Sequence, residues 1–262
     1  MNVNESRFTV QSGKNNLIGV LYTPESLHDG EKTPLVITMH GMKENRDAPI
    51  EKTVSDALVK AGFATIRFDF AAHGESSGKD YEVTTSRQVE EGRAIYEYAA
   101  KLPFVSKIIL FGHSQGGLVA GLLAADLGSD KVPALVQVAA SAAVKETALT
   151  GIVGNSKVFD PDNIPERIPL GNSGFTIGRE YFEELKTMTI YEEAETYSGK
   201  VLLVHGEEDK TVPPESSRRY AEAYKAHADC TLVFVAGEAH QFENDRESLV
   251  SRVVSFLCDC MK

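Results

Sequence analysis

Two stretches of this chain fit the pattern G-x-S-x-G: "GESSG" at Gly74–Gly78 and "GHSQG" at Gly112–Gly116. The pattern can present a serine hydroxyl for nucleophilic attack, but so short a match recurs by chance, and the flanking sequence has to decide. Around Ser114, the apolar run "SKIILF" enters the motif directly and the helix-forming run "LVAGLLAADL" leaves it after "GG". Strand, sharp turn and helix without a spacer is what a nucleophile elbow requires. Gly112, Gly116 and Gly117 keep the neighbours small, so that strand and helix can approach. The first N–H groups of the helix then lie beside the serine, free to meet a developing oxyanion. Around Ser76, "AAH" separates the strand-like "ATIRFDF" from the motif, and the polar "KDYEVTT" follows it. That context reads as a turn-rich loop in which glycine and serine serve backbone geometry. Ser114 is the candidate nucleophile.

A serine hydroxyl needs a base, and the base needs an orienting acid. For an elbow serine the chain order is Ser, then Asp or Glu, then His. Downstream of Ser114 the histidines are His205, His227 and His240. His205 sits inside the strand-like "KVLLVHGEED", ahead of any acid there, and His227 ends a helical run, where a histidine caps or is solvated. His240 follows the strand-like "CTLVFVAG", at the carboxyl edge where open α/β sheets gather their ligand-binding groups. His240 is the candidate base. "HGEEDKTVP" offers Glu207, Glu208 and Asp209 at the same edge; the step into the following loop favours Asp209, with the glutamates as solvated charges. The oxyanion donors expected are the N–H of Gln115, directly after the serine, and the N–H of Met42 in "LVITMHGMKEN", with the Gly41 N–H as alternative. His40 reads as structural. Acyl transfer by this set requires no metal and no organic cofactor.

The elements that must position these groups follow from periodicity. Short β-branched runs alternate with longer amphipathic segments, and several of the runs are apolar almost throughout, as strands buried on both faces are. The predicted helices are Glu51–Ala61, Thr85–Lys101, Gln115–Leu127, Pro214–Ala226 and Arg246–Cys260. This alternation predicts an α/β fold with an open, mostly parallel sheet. Runs near Arg7–Gln11 and Leu17–Thr23, joined by "SGKNN", predict an antiparallel hairpin at the sheet edge. From 142 to 199 the rhythm stops. This stretch is rich in Pro, Gly, Asn and Asp and carries Phe159, Phe175, Tyr181, Phe182 and Tyr191. Long segments of this kind act as lids or binding elements. The expectation is a core of residues 1–141 and 200–262 with an inserted cap at 142–199, containing some helix at Arg179–Met188.

Bulk properties narrow the function class. The 262 residues suffice for one large domain, and a net charge of −11 repels nucleic acid and anionic membranes. "MNVNESRFTV" lacks the basic and apolar regions of a secretory signal, and the run Leu118–Leu127 is too short to span a bilayer. The expectation is a cytoplasmic protein acting on a small molecule, with no nucleic-acid or membrane partner. Cys230, Cys258 and Cys260 fit reduced thiols; Cys258 and Cys260 lie two apart on a helix, off a common face, with no histidine at ligand spacing. No metal site is expected, and a homodimer is compatible with the sequence.

Taken in order, "HGM", "FDFAAHGESSG", "GHSQGG", "HGEEDKTVP" and "GEAHQF" resemble the α/β-hydrolase superfamily across nearly the whole chain. The resemblance implies an eight-stranded, mostly parallel sheet flanked by helices, the roles above for Ser114, Asp209 and His240, and a structural turn after the fourth strand at "RFDFAAHGESSG". The stretches "FDPDNIPERIPL" and "REYFEELKTMTIYEEA" are similar to the inserted domain of bacterial cinnamoyl (feruloyl) esterases. That resemblance implies hydrolysis of hydroxycinnamoyl esters through an acyl-enzyme on Ser114, with polar contacts to the phenolic ring from Asp160, Asp162 and Tyr181. The rivals are a short-chain carboxylesterase, a monoacylglycerol lipase-like hydrolase or peptidase, and a catalytically silent binding protein on the same fold.

Overall fold

The computed structural model describes residues 3–153 and 156–261. In chain order it contains β1 (Val3–Ser12), β2 (Asn15–Pro24), β3 (Thr33–Met39), α1 (Pro49–Lys60), β4 (Ala64–Phe68), a 3₁₀ turn (Asp80–Glu82), α2 (Thr85–Ala100), β5 (Val105–His113), α3 (Gln115–Leu127), β6 (Ala134–Val138) and α4 (Val144–Thr150). Then come two short hairpins, β7 (Ile152–Val153) with β8 (Ser156–Lys157) and β9 (Arg167–Pro169) with β10 (Thr176–Gly178). The chain continues through α5 (Arg179–Thr187), α6 (Ile190–Glu195), β11 (Lys200–Gly206), α7 (Glu215–Tyr224), β12 (Asp229–Val235) and α8 (Arg246–Cys260).

Eight strands form one sheet in the order β1-β2-β4-β3-β5-β6-β11-β12. From β4 to β12 every pairing is parallel; β2 joins β4 antiparallel, and β1 closes the edge as the other arm of the predicted hairpin. The alternation of side chains across each strand divides the core in two. Val36, Ile109, Phe111, Val136 and Val204 face α1 and α8 through Val54, Leu58, Leu249 and Val253. Leu35, Ile37, Leu110, Leu135 and Leu203 face the other side, where α2, α3 and α7 pack. Strands covered on both faces have no polar face to spare, which is why their sequences are continuously apolar.

The helices have visible starts. The Thr84 side chain accepts the Arg87 N–H and opens α2, and the Asp245 side chain accepts the Ser248 N–H and opens α8. The helix α3 is buried almost all round over Gln115–Ala124, consistent with its apolar sequence. Among the described residues no helix is long and apolar enough to cross a membrane, and the three cysteines are free thiols.

Between β6 and β11 lie α4, both hairpins, α5 and α6. This segment has its own packing: Phe159, Ile168, Ile177, Phe182 and Leu185 are buried and continuous with the core on the α2–α3 side. The helix predicted at Arg179–Met188 is α5; the two-residue and three-residue strands carry too little pattern to be read from sequence.

Candidate functional site

The strand β5 delivers Ser114 into a turn that only small neighbours permit. Ser114 sits at φ 55°, ψ −120°, outside the ordinary regions for a residue with a side chain. A Cβ on Gly112 would lie 2.1 Å from the Gly116 carbonyl oxygen, and a Cβ on Gly116 would lie 2.0 Å from the Met39 carbonyl oxygen. Both glycines are therefore fixed by backbone approach. The Ser114 N–H donates to the Val138 carbonyl at 2.9 Å, and the Ser114 carbonyl accepts the Ser141 N–H at 3.0 Å, so the turn is also tied to the end of β6.

The loops after β11 and β12 meet it there. His240 Nε2 lies 3.0 Å from Ser114 Oγ, and its Nδ1 lies 2.7 Å from Asp209 Oδ2. The other carboxylate oxygen, Oδ1, accepts the Thr211 and Val212 N–H groups at 2.8 and 2.9 Å. Burial alone would raise the Asp209 carboxyl, but hydrogen bonds from His205 and His240 outweigh it and hold the group well below the ordinary carboxylate range. With Asp209 ionised, Nδ1 of His240 is the protonated nitrogen and Nε2 is left to accept from Ser114. Glu207 and Glu208 are exposed.

The donors form a second group. The Met42 and Gln115 N–H groups find no acceptor among the described residues, and both residues line the cavity beside Ser114. The alternative donor, the Gly41 N–H, is engaged: it donates to Glu44 Oε2 at 2.9 Å. His40 is fully enclosed, contacts the Gly41 carbonyl through Nδ1 at 2.8 Å, and accepts the Phe70 N–H at Nε2. Burial, and then its neighbour His73, push His40 down to about 3, so it is a neutral brace under the Met42 loop.

Ser76 is placed elsewhere. Its hydroxyl donates to the Asp69 carbonyl at 2.7 Å and accepts the Ile18 N–H at 2.8 Å. It ties the turn after β4 to β2, the structural role read from its context.

Over Ser114 opens a cavity of about 1250 Å³. Its floor is Met42, Ser114 and His240, and the segment between β6 and β11 covers it with Ile168, Leu170, Ile177, Tyr181 and Phe182. Tyr181 is buried; burial pushes its phenol up, so it stays protonated and donates to Gln115 Oε1 at 3.0 Å. Gln115 Nε2 in turn donates to Gln88 Oε1 at 2.9 Å, linking α5, the elbow and α2. Asp160 and Asp162, expected as substrate contacts, are not among the residues lining the cavity. They form an exposed turn in which Asp160 Oδ1 accepts the Asp162 N–H, and their carboxylates are solvated outside the cover.

Three positions were not singled out for roles in the sequence. His205 reaches the same Asp209 oxygen through Nε2 at 3.1 Å while Nδ1 meets Ser217 Oγ, so Asp209 has two imidazole partners. The spacing His205 to Asp209 was visible, but nothing in "HGEED" says that the strand residue folds back onto the acid. His113 Nε2 contacts the His240 carbonyl oxygen at 3.0 Å, and Glu44 accepts from Gln241 as well as from Gly41. These bonds join loops far apart in sequence.

Comparison with known proteins gives three kinds of likeness. The model of the serine aminopeptidase S33 family matches residues 30–158, which include Met42 and Ser114. The solved structure of Est1E from Butyrivibrio proteoclasticus with ferulic acid bound is 31% identical, with a TM-score of 0.90, covering 97% of this chain and 99% of that one. The esterase Pf2001 of Pyrococcus furiosus shares the fold at 21% identity and a TM-score of 0.73, covering 98% of this chain and 93% of that one. Human Protein ABHD12B is 28% identical over 243 residues, 88% of this chain; the chain spans 62% of that relative's length.

Proposed function

The chain belongs to the α/β-hydrolase superfamily of serine hydrolases, and we propose that it is a carboxylesterase for hydroxycinnamoyl esters of the feruloyl type. The observation that carries this reading is the hydrogen-bonded line Ser114–His240–Asp209 beneath an apolar cavity. The likeness over nearly full length to Est1E with ferulic acid bound supports the acyl group.

The geometry supports the following sequence of steps. His240 Nε2 takes the Ser114 proton as Oγ attacks the ester carbonyl. Asp209 holds the imidazole tautomer and stabilises the imidazolium. The Met42 and Gln115 N–H groups receive the oxyanion of the tetrahedral intermediate; one such donor contributes about 3–4 kcal/mol to the transition state. The alcohol leaves with a proton from His240, and water repeats the sequence on the acyl-enzyme. Residues 142–199 act as the cap, closing the acyl site with Ile168, Leu170 and Phe182. The planar cinnamoyl group suits this apolar cover better than a charged acyl group would.

A second reading, an ester with a long alkyl acyl chain, is favoured by the rim: Ile152, Val153 and Val158 line the cavity and are exposed. One panel separates the readings: methyl ferulate, chlorogenate, p-nitrophenyl acetate, a monoacylglycerol and an aminoacyl p-nitroanilide. The expected order of kcat/KM puts the hydroxycinnamoyl esters first, with all turnover and all fluorophosphonate labelling lost in Ser114→Ala. Preference for the monoacylglycerol would replace the substrate assignment, and preference for the anilide would replace the ester class.

A further inference from the structure

Behind His240 lies a group of side chains that the proposed reaction does not use. His113, at the end of β5, and Glu51, in the first turn of α1, are both fully buried. Glu44, in the loop after β3, is partly buried and lines the cavity. One ligand-type atom from each of the three lies within 4.8 Å of the others.

The hydrogen-bond pattern sets what this group can hold. His113 Nε2 faces the His240 carbonyl oxygen, which can only accept, so Nε2 carries the proton. Nδ1 of a neutral His113 then points a lone pair at two carboxylates, 3.4 Å from Glu44 Oε2 and 4.0 Å from Glu51 Oε1. Nδ1 and both Glu51 oxygens are buried with no hydrogen-bond partner among the described residues. The nearest guanidinium groups do not relieve this. Arg67 and Arg246 act on Glu51 only at a distance and form no hydrogen bond or ion pair with it; Arg67 bonds Arg46, Asp47 and Tyr22, and Arg246 bonds Gln241. Burial, and then the nearby Glu44, push the Glu51 carboxyl well above its usual range, so without a cation it takes up a proton; yet neither of its oxygens nor His113 Nδ1 gains a hydrogen bond, which is unfavourable in a buried site.

A shared proton fits the spacing poorly, because hydrogen bonds between N and O close at about 2.7–3.2 Å. A cation fits it. Around an ion with metal–N and metal–O bonds of about 2.0–2.2 Å, neighbouring ligand atoms stand about 3–4 Å apart. One imidazole with two carboxylates is a donor set for first-row divalent ions. We propose that His113 Nδ1, Glu51 and Glu44 form a binding site for a divalent cation of the zinc class, reached from the cavity past Glu44. The site is structural with respect to the chemistry at Ser114: it cross-links α1, the Met42 loop and β5. It also fixes the His113 tautomer that holds the His240 carbonyl, and it stands whether or not Ser114 is the nucleophile.

The test uses the full untagged chain, stripped with EDTA and desalted. Calorimetric titration with ZnCl2 is expected to show one ion per chain and a zinc-dependent rise in melting temperature. Both are expected to fail in Glu51→Gln, with affinity weakened by more than ~100-fold; circular dichroism and fluorophosphonate labelling check that the variant is folded. On the wild-type chain, CoCl2 is expected to give visible ligand-field bands without thiolate charge transfer in the near ultraviolet. That readout does not depend on any variant folding. No stoichiometric uptake by the wild type would overturn the proposal and assign the cluster a buried proton. Uptake unchanged in Glu51→Gln, or a thiolate band placing the ion on Cys230, Cys258 or Cys260, would overturn it as well.

Discussion

Replacing Asp209 by asparagine tests the tautomer argument directly. Asp209 Oδ1 accepts two backbone N–H groups, from Thr211 and Val212, so that position must remain an oxygen. The amide nitrogen of the substituted side chain then occupies the Oδ2 position, where His240 Nδ1 stands 2.7 Å away and His205 Nε2 3.1 Å away. A donor now faces His240, so its imidazole turns to the tautomer with a lone pair on Nδ1 and the proton on Nε2. That proton points at Ser114 Oγ, and the base has become a donor. In a serine triad this exchange costs about 10⁴ in kcat, or about 5 kcal/mol of transition-state stabilisation. The loss should fall on kcat rather than KM, because the cavity is unchanged. The measurement is kcat and KM on p-nitrophenyl acetate and methyl ferulate, with the melting temperature as control. A folded Asp209→Asn enzyme within tenfold of wild type would refute the assignment of Asp209 as orienter and leave it a structural acceptor for His205 and the Thr211 and Val212 N–H groups.

Two further outcomes follow from other parts of the fold. Ser76→Ala should keep most of the hydrolytic activity while losing about 1–3 kcal/mol of stability in urea unfolding, since it strands the Asp69 carbonyl and the Ile18 N–H; loss of activity without loss of stability would give Ser76 a chemical role. Glu91, buried on α2 and accepting the Ala71 N–H, is pushed by burial from 4.5 up to about 7. Its folded state therefore holds a proton that the unfolded chain releases, so its contribution to stability is present below pH 4.5 and is lost as pH rises through about 7. The interval is worth about 3 kcal/mol, and Glu91→Gln should be more stable than wild type at pH 8 and equal to it at pH 4; the same stability difference at both values would refute the linkage.

Much of the geometry of the candidate site was legible because it is local. The elbow at Ser114 is a contiguous strand, turn and helix, and its glycines announce the close backbone approach that the structure shows at Gly112 and Gly116. Asp209 stands out from Glu207 and Glu208 for a local reason too, since its short side chain accepts N–H groups two and three residues ahead. What was not legible is held by contacts between distant segments. His205 and His113 both read as strand residues, and only the packed sheet turns one toward Asp209 and the other toward the His240 carbonyl. That Asp160 and Asp162 stand outside the cavity lining was not legible for a related reason. Acidic residues in a polar turn carry no sign of which way the turn faces, and here it faces water, whereas the amphipathic pattern of α5 turned Tyr181 inward.

The strands β6 and β11 are parallel neighbours, paired from Ala134 with Lys200 to Val138 with Val204. The whole segment from α4 to α6 therefore leaves and re-enters the sheet at adjacent strands. Closing a loop between two points already held together costs little more as the loop grows, about 0.6 kcal/mol for each doubling of length. The closure cost is thus nearly indifferent to the length of this segment, although its buried side chains pack on the core and Tyr181 bonds Gln115. If the segment sets substrate preference, as proposed, variants of different length that keep its core contacts can be exchanged there while the strand ends carrying Ser114, Asp209 and His240 keep their register.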